Sequence, residues 1–254
     1  MTKQVFNIFP TTIYVNQIEN HKEHKTRFYK LYSRYDYEQK SIRDGEEWYN
    51  TTSENFAKPY IHLEESLAEL FEQIIDNVKI YVQDVLKYQD IFNFIITKTW
   101  LSRSRDSHEN VKWHSHSTSH ISFSYYLNTP PNSHLIKFAN PSNTNGLFAG
   151  LNTSETKDAV KERNELNAST FFLEPKEGSL ILFPSSLDHC TQCPSNTFTG
   201  ERLAIVGDIT LVYKEDSGDG ASLGGNAQGG SGSQSGGGAA GGNCLLYTSD
   251  AADE

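Results

Sequence analysis

Two histidines standing two apart at the mouth of an apolar run, with a third far downstream, constrain the folding of this chain more than any other feature. In WHSHSTSHISFSYYLN, residues 113–128, His114 and His116 precede a stretch of strand-forming residues. A strand sends residues i and i+2 to the same face, so both imidazoles can reach one ion. A third donor has to come from elsewhere. LILFPSSLDHC supplies His189, just after the buried-looking strand 180–183 and the Pro184 that ends it. Three protein ligands on one face leave coordination positions open, as an oxygen-activating non-heme iron requires. Thirteen residues past His189, Arg202 opens a further run, RLAIVGDITLVY. A guanidinium at a strand start can clamp a carboxylate with two parallel hydrogen bonds.

The rest of the pattern points to a mainly β fold with supporting helices. Residues 5–15 predict a strand and 21–37 a helix. From 63 to 88, apolar residues recur at Leu67, Phe71, Ile74, Val78, Val82 and Val85, which is helical periodicity and predicts a long amphipathic helix packed on a sheet. Strands are expected at 94–101, at 134–138, 171–174, 180–183 and 203–213, with polar loops at 102–112 and 139–169 that shape a pocket. Many short strands of this kind suit a double-stranded β-helix, a cupin-like jelly roll, with an N-terminal helical segment packed on its sheet.

The motifs that carry the histidines resemble those of the iron(II) and 2-oxoglutarate dependent oxygenases, in particular a group of small bacterial and phage-type members. That group reads H-x-H, then S-x-x-Y-Y-L, then F-P-x-x-x-x-H, then an arginine opening the last strand. Here these are His114 to His116, Ser122 to Leu127, Phe183 to His189, and Arg202. The resemblance spans about residues 5–213. It implies Fe(II) held by His114, His116 and His189, and 2-oxoglutarate held by Arg202, Tyr126 and Ser122. Tyr126 comes from the Y-Y-L-N string shared with prolyl hydroxylases, whose second tyrosine binds the far carboxylate. The implied reaction is oxidative decarboxylation of 2-oxoglutarate coupled to hydroxylation of a small molecule or a protein side chain. Three departures stand out. The wider superfamily has a carboxylate where His116 stands, the smaller group has a glycine where Phe123 stands, and it often has a serine at Ala204.

Readings from other classes remain beside this one. A cupin-like dioxygenase would use the three histidines without 2-oxoglutarate and would not need Arg202. A non-catalytic jelly-roll binding module would keep the histidines for structure. Cys190 and Cys193 form C-x-x-C directly after His189, but a structural zinc wants further ligands and a thioredoxin-like site wants a βαβ context. They are read as reduced residues near the metal. His21, His24, His62 and His134 are read as structural, while His120 shares strand parity with His116 and can line the pocket.

Charge and composition narrow the partners. Through residue 214 there are 22 basic and 26 acidic residues, so no basic footprint for nucleic acid exists, and Asp208 and Thr210 follow Arg202 where nucleic-acid demethylases carry a second arginine. No apolar stretch reaches membrane-span length and the start lacks a signal peptide pattern, so a cytoplasmic enzyme is expected. The expected organisation is a single domain over 1–214, with helical support in 1–90 and the β core in 91–214. Twelve of the 18 glycines fall after residue 214, so 215–243 reads as a flexible tail. Residues 244–254, CLLYTSDAADE, look like a translated sequencing adapter.

Overall fold

Alternation of apolar and polar residues dictates one central sheet with two different faces. The computed structural model describes residues 7, 10–34, 40–43, 46–49, 60–142, 161–162, 164–214 and 245–247. Its elements in chain order are β1 (Tyr14–Gln17), α1 (His21–Leu31), β2 (Lys40–Arg43), β3 (Glu46–Tyr49), α2 (Ala68–Lys79), β4 (Phe92–Asp106), β5 (Ile121–Asn128), β6 (Leu135–Ala139), β7 (Thr170–Leu173), β8 (Ser179–Pro184), β9 (His189–Gln192), β10 (Thr199–Tyr213) and β11 (Leu245–Tyr247). A six-stranded sheet runs β1-β8-β5-β10-β4-β11 and a three-stranded sheet runs β7-β6-β9, while β2 and β3 form a separate pair. The strand pairs are antiparallel. This is the jelly-roll core that the strand count predicts.

One face of the large sheet is apolar and covered by the helices. Phe123, Tyr125 and Leu127 of β5, Leu180 and Leu182 of β8, and Leu203, Ile205 and Ile209 of β10 form one core with α2 residues Leu70, Phe71, Ile74, Ile75 and Val78. These α2 positions repeat at one and four residues, so a single stripe of the helix meets the sheet. Each such side chain contributes roughly 1.5–3 kcal/mol on burial. The opposite face packs on the small sheet: Tyr126, Ile181, Phe183 and Ala204 meet Ile136 and Phe138. The site lies in this inter-sheet space.

Several predicted elements shift. The helix expected over 63–88 begins with 3-10 turns at Ile61–Leu63 and Glu65–Leu67, is α-helical only over α2, and continues as a π-helical segment, Ile80–Val85. Val85 is exposed rather than buried. The helix expected over 21–37 is α1 followed by a 3-10 turn, Tyr32–Arg34, and its end lies outside the described residues. The strand expected over 5–15 is β1, displaced toward Gln17, and most of its first half lies outside the described residues. Most of the loop 139–169 and all of 215–244 also lie outside them. The supposed loop after residue 101 is strand through Asp106. Ser102 and Ser104 look like loop residues but are buried opposite Ala204 and Arg202, and the Ser104 hydroxyl is satisfied by the Glu109 carbonyl at 3.0 Å. Residues Leu245–Tyr247, within the adapter-like end, pair with β4 at the sheet edge.

The departure at Phe123 has a partner. Gly207 stands directly opposite it in β10, and a Cβ on Gly207 would meet the Phe123 ring at 2.6 Å and the Lys98 carbonyl oxygen at 2.6 Å. The bulk gained on one strand is absent from its neighbour.

No helix among the described residues is long and apolar enough to cross a membrane. His62 and His134, read as structural, are 2% and 0% exposed. Burial pushes both rings down to about 4, helped at His134 by the Arg202 charge. Below the ordinary histidine value of about 6.5 the unfolded chain therefore takes up protons that the folded chain does not, and stability falls as pH falls. The expected loss on going from pH 7 to 5 is on the order of 2 kcal/mol per ring, seen as a lower urea midpoint. A midpoint unchanged between these pH values would contradict the burial of both rings.

Candidate metal centre

The three histidines converge. One ligand atom from each of His114, His116 and His189 lies within 4.8 Å of the others. The ring centroids of His114 and His189 are 4.2 Å apart, and His116 is 5.2 and 5.3 Å from the two. His189 does not follow the last strand of its region but opens β9, a short strand that the sequence did not reveal because His-Cys-Thr-Gln carries no apolar alternation. The H-x-H pair sits on an extended segment ahead of β5 rather than within a strand. A single β-bridge joins it to β9: His114 N–H donates to the His189 carbonyl at 3.0 Å and His189 N–H to the His114 carbonyl at 2.9 Å. The His116 N–H donates to the Ser185 carbonyl at 2.8 Å. Backbone hydrogen bonds thus fix all three Cα positions before any ion binds.

The ring orientations are fixed as well. His114 Nδ1 lies 2.8 Å from the Lys112 carbonyl and His189 Nδ1 lies 2.9 Å from the Leu187 carbonyl. A carbonyl only accepts, so Nδ1 carries the proton in both rings and Nε2 presents its lone pair. His116 Nδ1 lies 2.5 Å from Asp208 Oδ1. Burial pushes His189 down to about 3, aided by the neighbouring His114, and burial lowers His114 against the pull of the Lys112 carbonyl. Both rings are neutral at neutral pH, which metal ligation demands. Three imidazoles with oriented nitrogens, two of them held neutral by burial, fit a divalent transition metal. Around them, Phe183 packs edge-on against His189 at 4.7 Å and Trp100 lies 5.7 Å from His116.

Farther along the same face of the large sheet lies a buried cation. Arg202 and Asp208 share parity on β10 with Ala204 and Val206, and the register places Tyr126 opposite Ala204 and Ser122 opposite Asp208. Arg202 is 2% exposed. Its Nε donates to the His134 carbonyl at 3.1 Å, Nη2 to the Tyr126 hydroxyl at 3.4 Å, and the guanidinium lies 5.0 Å from the Tyr126 ring centre. Nη1 has no partner, and no carboxylate among the described residues pairs with this charge. Burial lowers the arginine and raises the fully buried Tyr126 hydroxyl, each opposed by the other. An unpaired guanidinium in a dry site is costly, and an anion would relieve it. His134 is four residues, roughly 13 Å of extended chain, from Phe138, the register partner of His189. The two anchors therefore lie apart within one inter-sheet space.

Ser122 belongs to the metal end. Its hydroxyl lies 3.1 Å from His116 Nδ1, 3.0 Å from Asp208 Oδ1 and 2.9 Å from Ser185 Oγ. It stands four residues before Tyr126 and on the same face of β5. His120 is exposed, with its ring nitrogen accepting from the Leu211 N–H at 3.2 Å, and it stands outside the triad. Cys190 is buried and Cys193 partly so; both are free thiols, and Cys193 donates to the Ser195 carbonyl at 3.0 Å. Asp208 is the residue that sequence reasoning passed over. The signal was present in its even spacing from Arg202.

A family model described as "Putative 2OG-Fe(II) oxygenase" matches residues 98–208, the segment that holds the triad, Tyr126 and Asp208. Among solved structures, the non-heme alpha ketoglutarate dependent epimerase SnoN from nogalamycin biosynthesis superposes with a TM-score of 0.51 at 10% identity, over 82% of this chain and 80% of that one. The alpha ketoglutarate dependent carbocyclase SnoK, from the same biosynthesis, gives 0.51 at 10% identity over 83% and 85%. AviO1 from Streptomyces viridochromogenes gives 0.50 at 12% identity over 84% and 93%. At such identities the likeness speaks for the fold. No curated protein matches the chain. Over residues 98–208 the chain is thus similar to that oxygenase family, and the solved structures share the fold around this segment.

Proposed function

We propose that residues 1–214 form one catalytic domain that couples oxidative decarboxylation of 2-oxoglutarate to hydroxylation of an organic substrate, a small molecule or a protein side chain. His114, His116 and His189 hold Fe(II) through Nε2. Arg202, with the Tyr126 hydroxyl beside it, receives the far carboxylate of 2-oxoglutarate. The observation that carries this reading is the buried Arg202 with Nη1 unpartnered, in the same inter-sheet space as three oriented imidazoles. A module that used its histidines only for structure would have no need of an uncompensated cation there. A dioxygenase that did without 2-oxoglutarate would have none either.

The bound iron and cosubstrate supply the oxidising chemistry. This chain's residues bind and orient them. The Lys112 and Leu187 carbonyls hold the proton on Nδ1 of His114 and His189, keeping each Nε2 aimed inward. Phe183 and Phe138 flank His189 and keep bulk water from that side. Tyr126, held protonated by burial, offers a neutral donor next to the Arg202 charge. No side chain is required as nucleophile or general acid.

The test is anaerobic titration of the Fe(II)-loaded protein with 2-oxoglutarate. The expected result is a weak visible charge-transfer band that saturates at one equivalent, followed on admission of oxygen by stoichiometric succinate. Oxygen consumption that ignores 2-oxoglutarate would overturn the reading in favour of a cupin-like dioxygenase. Incorporation of label from isotopic dioxygen into product as a hydroxyl tests hydroxylation itself.

A further inference from the structure

The third imidazole stands where the wider superfamily has a carboxylate, and the structure puts a carboxylate immediately behind it. Asp208 Oδ1 lies 2.5 Å from His116 Nδ1, with the two side chains 10% and 13% exposed. Asp208 has no lysine or arginine within ion-pair distance among the described residues. Lys98, its register neighbour on β4, instead holds its ammonium 4.6 Å from the centre of the Trp100 ring. Among the described residues, the only other side chain bonded to the Asp208 carboxylate is Ser122, whose hydroxyl donates at 3.0 Å. The other two rings of the triad lean on neutral backbone carbonyls. One ring of three is therefore backed by charge.

We infer that Asp208 is a positioning residue for the metal centre: it fixes His116 with Nε2 toward the ion and places behind the ring the carboxylate that a three-histidine ligand set lacks. The inference rests on the metal-centre reading above and deepens it. A carboxylate accepting from Nδ1–H gives His116 the same tautomer that the Lys112 and Leu187 carbonyls impose on His114 and His189. All three Nε2 atoms then present lone pairs together. A carboxylate on the outer nitrogen also makes the imidazole a stronger donor, and loss of such a partner typically costs 10–100-fold in metal affinity. Ser122 holds the Asp208 carboxylate from behind and is bonded in turn to Ser185 at 2.9 Å, and Ser119 extends the chain of hydroxyls to Ser185 at 2.8 Å. Asp208 thus arrives oriented.

The test uses Co(II) as a spectroscopic probe and Zn(II) as a diamagnetic one. Asp208→Asn is expected to lower Co(II) affinity about 10–100-fold and to shift the ligand-field bands, while Asp208→Glu keeps affinity within a few-fold of wild type. Far-UV circular dichroism and melting check that each variant is folded. In the Zn(II)-loaded wild type, 15N-histidine NMR is expected to show three rings bound through Nε2, one with a far-downfield Nδ1–H. That spectrum does not depend on any variant folding. Wild-type affinity and bands in folded Asp208→Asn would overturn the inference, as would a His116 that is unligated or bound through Nδ1. If wild type binds neither Co(II) nor Fe(II), the metal-centre reading itself fails, which is a separate outcome.

Discussion

Replacing His189 by alanine is expected to remove iron and turnover together. His189 is the most buried of the three proposed ligands, and the rings packed against it, Phe183 at 4.7 Å and Phe138 at 6.3 Å, cannot ligate. Two histidines and water are a far weaker site than three convergent nitrogens, so iron should fall below one equivalent by a wide margin after anaerobic reconstitution. Succinate formation should drop to background. The fold should survive, because the β-bridge to His114 is made by backbone atoms. Loss of a ring packed between two phenylalanines still costs stability, on the order of 2–4 kcal/mol by analogy with other large-to-small core changes. Iron stoichiometry and circular dichroism measured on one sample separate the two effects. Stoichiometric iron with normal succinate yield in the folded variant would take His189 out of the centre.

Replacing Arg202 by methionine is expected to part the two cofactors. Iron binding should be untouched, since no atom of Arg202 bonds to a triad residue. Affinity for 2-oxoglutarate should fall at least a hundredfold, about 3 kcal/mol, in line with losing one partner of a buried charge pair. The protein without cosubstrate should nevertheless melt no lower than wild type, and higher if the methionine fills the space. The wild-type guanidinium is buried with Nη1 unbonded, and an apolar residue of similar volume escapes that penalty. A variant that loses cosubstrate affinity yet gains thermal stability marks a residue kept for its ligand. Unchanged 2-oxoglutarate affinity would remove Arg202 from the cosubstrate site.

Much of the site was legible because its residues sit beside strong punctuation. A proline-terminated apolar run precedes His189, and an apolar strand follows Arg202, so both could be placed without knowing the topology. What failed to show was polarity inside the fold. Ser102 and Ser104 look like loop residues, yet they are buried strand residues, and the polar β9 was invisible for the same reason. The motif resemblance joined Ser122 and Tyr126, yet Ser122 bonds to His116 and Asp208 while Tyr126 meets Arg202. Asp208 was read only as the absence of a second arginine. His134, set aside as structural, is buried at the turn whose carbonyl holds Arg202. Parity tells which residues share a wall; only the register tells which share a corner.

The bulky Phe123 against the bare Gly207 then acquires a meaning beyond close fit. Sliding β5 against β10 would bring the ring against a side chain and the notch against nothing, so the pair works as a key that admits a single alignment of the two strands. That alignment sets Ser122 against Asp208 at one end and Tyr126 beside the strand of Arg202 at the other. A slip of one residue would part Ser122 from Asp208 and Tyr126 from Arg202 in the same stroke. The two halves of the chemistry are therefore not free to drift apart through insertions or deletions in these strands. Variation between relatives at positions 123 and 207 should come in pairs, large facing small.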